Sequence, residues 1–135
     1  MARRFKTCDV AKLFFSNHLK KAKECFSAAQ NSLHEGAWNA AVINSIHCCI
    51  AACDAMCVYF LGKRNAGDDH NSSATLFKTI KADDEINENA NRILRILRVK
   101  NMAEYEERLV SKSEAEKIFK DCERFLEFVE KQLPA

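Results

Sequence analysis

Residues 37–63 read AWNAAVINSIHCCIAACDAMCVYFLGK, and this stretch decides the fold. It contains no proline, has one glycine near its end, and carries small or apolar side chains on nearly every face. A helix that is apolar all round is either wrapped by neighbouring helices or placed in a membrane. Three polar residues, Asn44, His47 and Asp54, interrupt the stretch and would be costly in lipid. The sequence therefore predicts the central helix of a small helical domain.

The composition favours one all-α domain. A chain of 135 residues can bury its own core, and we expect a single domain over residues 1–135 with its core at about 9–132. Three glycines and one proline are few chain breakers, which favours long helices over an all-β fold. The formal net charge of +2 excludes nucleic-acid binding by bulk charge alone, so any such binding needs a local basic patch.

The seven cysteines indicate a reducing compartment rather than a disulfide framework. Four of them crowd the central helix, where bridging has poor geometry: Cys48, Cys49, Cys53 and Cys57. No second ligand pair at metal spacing accompanies them, so we interpret these thiols as small apolar packing residues and predict no metal or cofactor. The basic N-terminus lacks the apolar segment of a signal peptide. We therefore expect a cytoplasmic protein without membrane association.

The apolar periodicity predicts an up-and-down antiparallel bundle of four long helices plus one short helix. The first helix is expected to start at a cap on Thr7 or Asp9, to run to about His34 and to stop at Gly36. Residues 64–73 form a predicted loop and residues 74–81 a short helix.

Two cap patterns place the remaining helices. Asp83 is expected to cap the fourth helix, which continues to about Tyr105 or Arg108. Ser113 with Glu116 fits a capping box for the last helix, and Pro134 follows its end.

Two groups of polar residues are candidates for chemistry. His47 and Asp54 are seven residues apart, which places both on one face of the central helix, about 10 Å apart along its axis. Their candidate partners lie elsewhere in the chain: Arg64, His70, Arg98 and Lys100. Later in the chain, Lys100, Asn101 and Glu104 share a helix face, as do Arg98 and Tyr105. Hydrogen-bonded core residues and a solvated, salt-bridged helix end are the structural alternatives.

Four segments, in chain order, resemble the HEPN superfamily of small helical bundles. Gly36-Ala37-Trp38-Asn39 is similar to the start of the family's second helix, and the run from His47 to Ala55 is similar to a branch with an H…AADA motif, in which Cys53 replaces an alanine. The loop with Gly67-Asp68-Asp69-His70 and the late Lys100-Asn101-x-x-Glu104-Tyr105 segment are similar to the same branch. The resemblance covers residues 10–132.

The resemblance implies a nucleotide-binding or metal-independent RNase domain, which is often half of a toxin–antitoxin pair with a nucleotidyltransferase. It also implies a homodimer. RNase members carry an arginine followed after four to six residues by a histidine. Counted from Arg98, Ala103 stands where that histidine would be, although Tyr105 fits the pattern.

We therefore expect a module that binds a nucleotide or RNA phosphate, with a nucleotidyltransferase-type protein as a candidate partner. The alternatives are a divergent RNase or toxin and a purely structural interaction bundle. The candidate catalytic residues are His47, His70, Lys100 and Tyr105. The candidate ligand-binding residues are Asp54, Arg64, Arg98 and Asn101.

Overall fold

The computed structural model describes residues 6–67, 69 and 71–134, and it confirms an all-α helical bundle. The described helices are α1 (Phe15–His34), α2 (Trp38–Leu61), α3 (Asn71–Lys78), α4 (Asp84–Arg98), α5 (Lys100–Tyr105) and α6 (Lys112–Gln132). A 3₁₀ turn, Lys12–Phe14, precedes α1. Two short strands, β1 (Thr7–Asp9) and β2 (Lys63–Asn65), form an antiparallel pair.

Helix α2 is the centre of the bundle, as its sequence predicts. It packs mainly against α1 and α6, and its buried residues cover most of its circumference, apart from the side that carries His47, Ile50 and Asp54. Among the described residues, it is the one helix long and apolar enough to cross a membrane, with a mean hydropathy of 1.7, yet 67% of that window is buried inside the bundle. The neighbouring helices therefore supply the apolar environment that α2 requires.

The cysteines of α2 are packing residues, which confirms their interpretation from the sequence. Cys48, Cys49, Cys53, Cys57 and, on α6, Cys122 are free thiols and buried. The thiol of Cys122 donates to the Ser45 carbonyl oxygen at 3.4 Å. The thiol of Cys53 donates to the Ser73 carbonyl oxygen at 3.6 Å, which links α2 to α3.

Two predicted helix boundaries are confirmed. Gly36 adopts a φ of 78° after the end of α1, a left-handed conformation that glycine adopts without strain. Asp83 caps α4, since its carboxylate accepts a hydrogen bond from the Ile86 N–H at 2.8 Å.

The predicted N-terminal cap is wrong, and the predicted loop is shorter at both ends than expected, since among its described residues only Ala66, Gly67 and Asp69 lie outside helices and strands. Thr7 and Asp9 lie in β1 and do not cap a helix. Cys8 of β1 pairs with Arg64 of β2, so the start of the predicted loop is a strand. The Val10 N–H donates to the Gly62 carbonyl oxygen at 2.9 Å and extends this pairing. Helix α3 begins at Asn71, before the predicted start at residue 74, because Ser72 and Ser73 are already buried against the core.

The fourth helix ends at Arg98, which corrects the predicted continuation to Tyr105 or Arg108. At Val99 the chain turns more tightly, and the Val99 N–H bonds to the Ile96 carbonyl oxygen at 3.4 Å, three residues back. Lys100 then begins the separate helix α5, which packs against α2. This break brings the side chain of Glu104 to α2.

The capping box of α6 lies two residues earlier than predicted. Ser111, not Ser113, caps the helix, and the Glu114 carboxylate accepts from the Ser111 N–H at 3.0 Å. The Val110 N–H donates to Oδ1 of Asn39 at 2.9 Å, which fixes the chain directly before this cap. Because that contact joins distant segments, the local sequence does not reveal it.

Candidate functional site

A cavity of ≈ 410 Å³ lies between α1, α2 and β2. We call it the α1–α2 cavity, and its described lining is His18, Lys21, Cys25, His47, Ile50, Ala51, Asp54 and Arg64. The helical residues recur at steps of three and four, so one face of α1 meets one face of α2. Strand β2 brings Arg64 to the same cavity through its pairing with β1.

Asp54 is the carboxylate in the described lining of the α1–α2 cavity, and its charge is sensitive to pH near neutrality. Burial raises the pKa of Asp54 to about 7, although the charges of Arg64 and Lys21 act in the opposite direction. No hydrogen bond joins its carboxyl group to another residue in the described part of the chain. Asp54 is therefore a partly desolvated group beside two cations rather than one half of a tight ion pair.

His18 faces the same cavity from α1. Burial lowers its pKa, and the positive charges of Lys21 and Arg64 lower it further. Both effects favour the neutral imidazole at neutral pH. Lys21 and Arg64 are therefore the permanent positive charges of the α1–α2 cavity, and a neutral His18 can donate one hydrogen bond and accept another there.

A second polar group adjoins the cavity at His47. Oε2 of Glu104 lies 2.7 Å from Nζ of Lys100, and Oε1 lies 3.3 Å from Nε2 of His47. The side chains of Lys100 and Glu104 are only 15% and 14% exposed, whereas that of His47 is 54% exposed. Oε1 of Glu104 is buried and lacks a hydrogen bond of good geometry in the structure as described.

The pKa values of the Lys100–Glu104 pair are shifted in the directions that favour both charges. The hydrogen bond to Glu104 raises the pKa of Lys100, despite an opposing effect of burial. Burial alone would raise the pKa of Glu104, but the hydrogen bond and charge of Lys100 lower it overall. The pair is thus ionised at neutral pH.

The structure brings together three of the predicted site residues: His47, Asp54 and Arg64 line the α1–α2 cavity. Lys100 adjoins them through Glu104, as described above. The described lining excludes Tyr105, Arg98 and Asn101. Tyr105 is 73% exposed, with its ring centroid 5.4 Å from Nζ of Lys100.

Arg98, the last residue of α4, and Asn101, in α5, are both exposed. His70 lies outside the described residues.

Sequence reasoning missed His18, Lys21 and Cys25, and it gave Glu104 no catalytic or ligand-binding role. The first three are spaced along one face of α1, but a polar helix face has the same pattern as a solvated surface. The shared face of Lys100 and Glu104 is visible in the sequence, whereas the contact of Glu104 with His47 depends on the turn at Val99.

A larger cavity of ≈ 620 Å³ lies elsewhere, where α1 and α2 meet α6. Trp38 and Phe119 line it together with His34, Lys112 and Glu116, among others. It contains none of the predicted site residues. The smaller α1–α2 cavity combines two permanent cations with a carboxyl group of raised pKa, so we consider it the candidate site. In the described ranges, no group of three or more His, Cys, Asp or Glu side chains has the arrangement of a metal site.

The comparison with protein families gives a match over most of the chain. The family model of the HEPN domain matches residues 15–132, which contain every α-helix that the structure describes. No curated protein matches the chain. The matched range includes α1, α2, β2 and α5, and hence the whole described lining of the α1–α2 cavity and its neighbours Lys100 and Glu104.

Proposed function

Because the chain belongs to the HEPN family, we propose that it binds a phosphate group of a nucleotide or of RNA in the α1–α2 cavity. The observation that carries this proposal is the convergence of Lys21 and Arg64, from separate elements, beside Asp54. Lysine and arginine are the usual cationic partners of phosphate. Two imidazoles, His18 and His47, supply further hydrogen-bonding groups.

The charge balance of the cavity supports an anionic ligand. Lys21 and Arg64 are opposed by Asp54 alone within the described lining. Since the pKa of Asp54 is about 7, much of its population is uncharged at neutral pH, and a phosphate then meets a net positive wall. A bound phosphate would also disfavour the ionised form of Asp54, so phosphate binding should be accompanied by proton uptake.

Calorimetric titration with inorganic phosphate, AMP and a short single-stranded RNA tests this proposal. Lys21→Gln should weaken binding of the probe about tenfold, the loss expected for one charge-assisted contact. Lys120→Gln, which removes an exposed lysine of α6, is the matched control and should leave the affinity unchanged. Equal affinities of wild type and Lys21→Gln for all three probes would refute the assignment of the site.

RNA cleavage is a second candidate function, and one observation favours it. The imidazole of His47 lies both at the α1–α2 cavity and 3.3 Å from the Glu104 carboxylate, an arrangement suited to proton transfer. His47→Ala should then abolish cleavage of an RNA substrate while the circular-dichroism spectrum and melting temperature are retained. The His70→Ala variant tests the other candidate histidine in the same assay. Cleavage that survives both changes would exclude this function.

Homodimerisation and a nucleotidyltransferase-type partner, as in a toxin–antitoxin pair, are part of the proposal. Exposed apolar side chains support an interaction surface at the end of the bundle where the 3₁₀ turn meets α2: Leu13, Phe14 and Phe60. Light scattering of the purified protein distinguishes a dimer from a monomer. The free cysteines support a reducing compartment, for which we propose the cytoplasm.

A further inference from the structure

The Glu104 carboxylate connects two basic side chains at the edge of the α1–α2 cavity. One oxygen lies 2.7 Å from Lys100, and the other lies 3.3 Å from Nε2 of His47. Glu104 and Lys100 are largely buried, but the imidazole of His47 is half exposed and lines the cavity. A fixed carboxylate thus faces a histidine whose other side is open to a ligand.

We infer that Glu104 is a positioning residue that orients the His47 imidazole and holds the proton on its Nε2. This inference rests on the proposed function, because it assigns a role to His47 in the ligand site. In a neutral imidazole one nitrogen donates and the other accepts, and the partner of one nitrogen determines the state of the other. With Nε2–H directed at Glu104, Nδ1 is left as the acceptor for a hydroxyl group of the ligand.

Lys100 gives Glu104 the rigidity that this role requires. The short contact at 2.7 Å and the burial of both side chains hold the carboxylate in one orientation. A carboxylate fixed in this way orients an imidazole without losing its own side-chain entropy at the moment of ligand binding. The arrangement resembles the general pattern in which a buried acidic group orients a histidine.

The unsatisfied oxygen of Glu104 is a second observation that points to His47. Oε1 is buried and has no well-formed hydrogen bond among the described residues. A buried acceptor without a donor is unfavourable, and Nε2 of His47 lies 3.3 Å from this oxygen. A small rotation of the exposed imidazole completes this hydrogen bond, and we expect the bond to form in solution without a ligand.

Nitrogen-15 NMR of the histidine rings in the unliganded protein tests the orientation directly. At about pH 7.5, the ring shifts of His47 should show the proton on Nε2, with a slowly exchanging Hε2 signal. The signal should be lost in Glu104→Ala and retained in Glu88→Gln, which as a control removes an exposed carboxylate from an ion pair with Arg92. A proton on Nδ1 in the wild type, or unchanged ring shifts in Glu104→Ala, would overturn the inference.

A double-mutant cycle separates positioning from a general structural role. The affinity for AMP should fall about fivefold to tenfold in His47→Ala and in Glu104→Ala, with no further loss in the double variant. Losses that add in the double variant would show that Glu104 acts independently of His47 and would refute the inference.

The two measurements also distinguish this inference from the proposed function. If the wild type binds none of the three probes, the proposed function fails, and the ring shifts alone decide the orientation of His47. If Lys21→Gln weakens binding and His47→Ala does not, the phosphate site stands and the role of Glu104 is refuted.

Discussion

Asp54→Asn should make the protein lose less stability than wild type as the pH rises from about 4 to about 7. The asparagine has nearly the same shape as the aspartate, but it cannot ionise. In the wild type, the pKa of Asp54 rises from 3.8 to about 7 on folding, chiefly because burial disfavours the carboxylate. The folded protein therefore binds this proton more tightly than the unfolded chain does, and stability contributed by the protonated group is lost as the pH rises from about 4 to about 7.

The magnitude follows from the change in pKa. An increase from 3.8 to about 7 corresponds to a total of about 4 kcal/mol, of which about 2.5 kcal/mol falls between about pH 5 and about pH 8. The free energy of unfolding of Asp54→Asn, relative to wild type, should therefore increase by about 2.5 kcal/mol across this interval. The constant effect of the substitution cancels in this comparison, since only the change with pH is used.

Urea denaturation followed by circular dichroism at the two pH values measures this difference. Asp84→Asn removes an exposed aspartate at the start of α4 and serves as the matched control for the loss of one surface carboxylate. A difference between Asp54→Asn and wild type that is the same at both pH values would refute the description of Asp54 as a desolvated carboxyl group. A large loss of stability at both values would instead indicate a hydrogen-bonded structural aspartate.

Three further predictions concern the site, the last helix and the thiols. Asp54→Asn should bind phosphate about tenfold more tightly than wild type at about pH 8, and about equally at about pH 5.5. The reason is that the Asp54 carboxylate, which repels phosphate, is ionised mainly above its raised pKa. Calorimetry at both pH values tests this prediction. Ser111→Ala should lower the free energy of unfolding by about 1 kcal/mol, because it removes the capping box, whereas Ser113→Ala should change it by no more than about 0.5 kcal/mol. A larger loss in Ser113→Ala than in Ser111→Ala, measured by urea denaturation, would contradict the assignment of the cap. A disulfide reagent should modify Cys8 and Cys25 in the native protein and the five buried cysteines only on unfolding, and release of all seven thiols at one rate would be inconsistent with the core as described.

The features that the sequence predicts correctly are set by local patterns. Because most of the surface of α2 is apolar, the helix is stable only when other helices surround it. The cysteines of α2 are part of that apolar surface and are therefore buried in the core. Gly36 and Asp83 act through contacts within a few residues of themselves, so their roles are visible without the fold. The spacing of His47 and Asp54 likewise places both on one face, and both line the α1–α2 cavity.

The errors arise where distant segments decide the local structure. Strands β1 and β2 are three residues each and are separated by two long helices, so neither carries a periodic signal of its own. The sequence from Ser111 to Glu116 contains two overlapping capping patterns, and the contact of Val110 with Asn39 selects the earlier one. The apolar stripe of α4 gives no indication of the turn at Val99.

Contacts between distant segments also decide which residues form the site. Lys21 belongs to a face of α1 that the sequence presents as solvated, and only the packing of α1 on α2 turns that face toward Asp54. Glu104 reaches His47 because α5 changes direction after α4. A charged side chain on a helix has the same local pattern whether it contacts solvent or a ligand cavity, so tertiary packing decides its role.

The position of a bound phosphate in crystals grown with AMP tests the central claim most directly. We expect the phosphorus atom in the α1–α2 cavity, within contact distance of Lys21 and Arg64, with the His47 ring turned so that Nε2 faces Glu104. Phosphate density in the larger cavity beside Trp38, with the α1–α2 cavity empty at saturating AMP, would contradict the account.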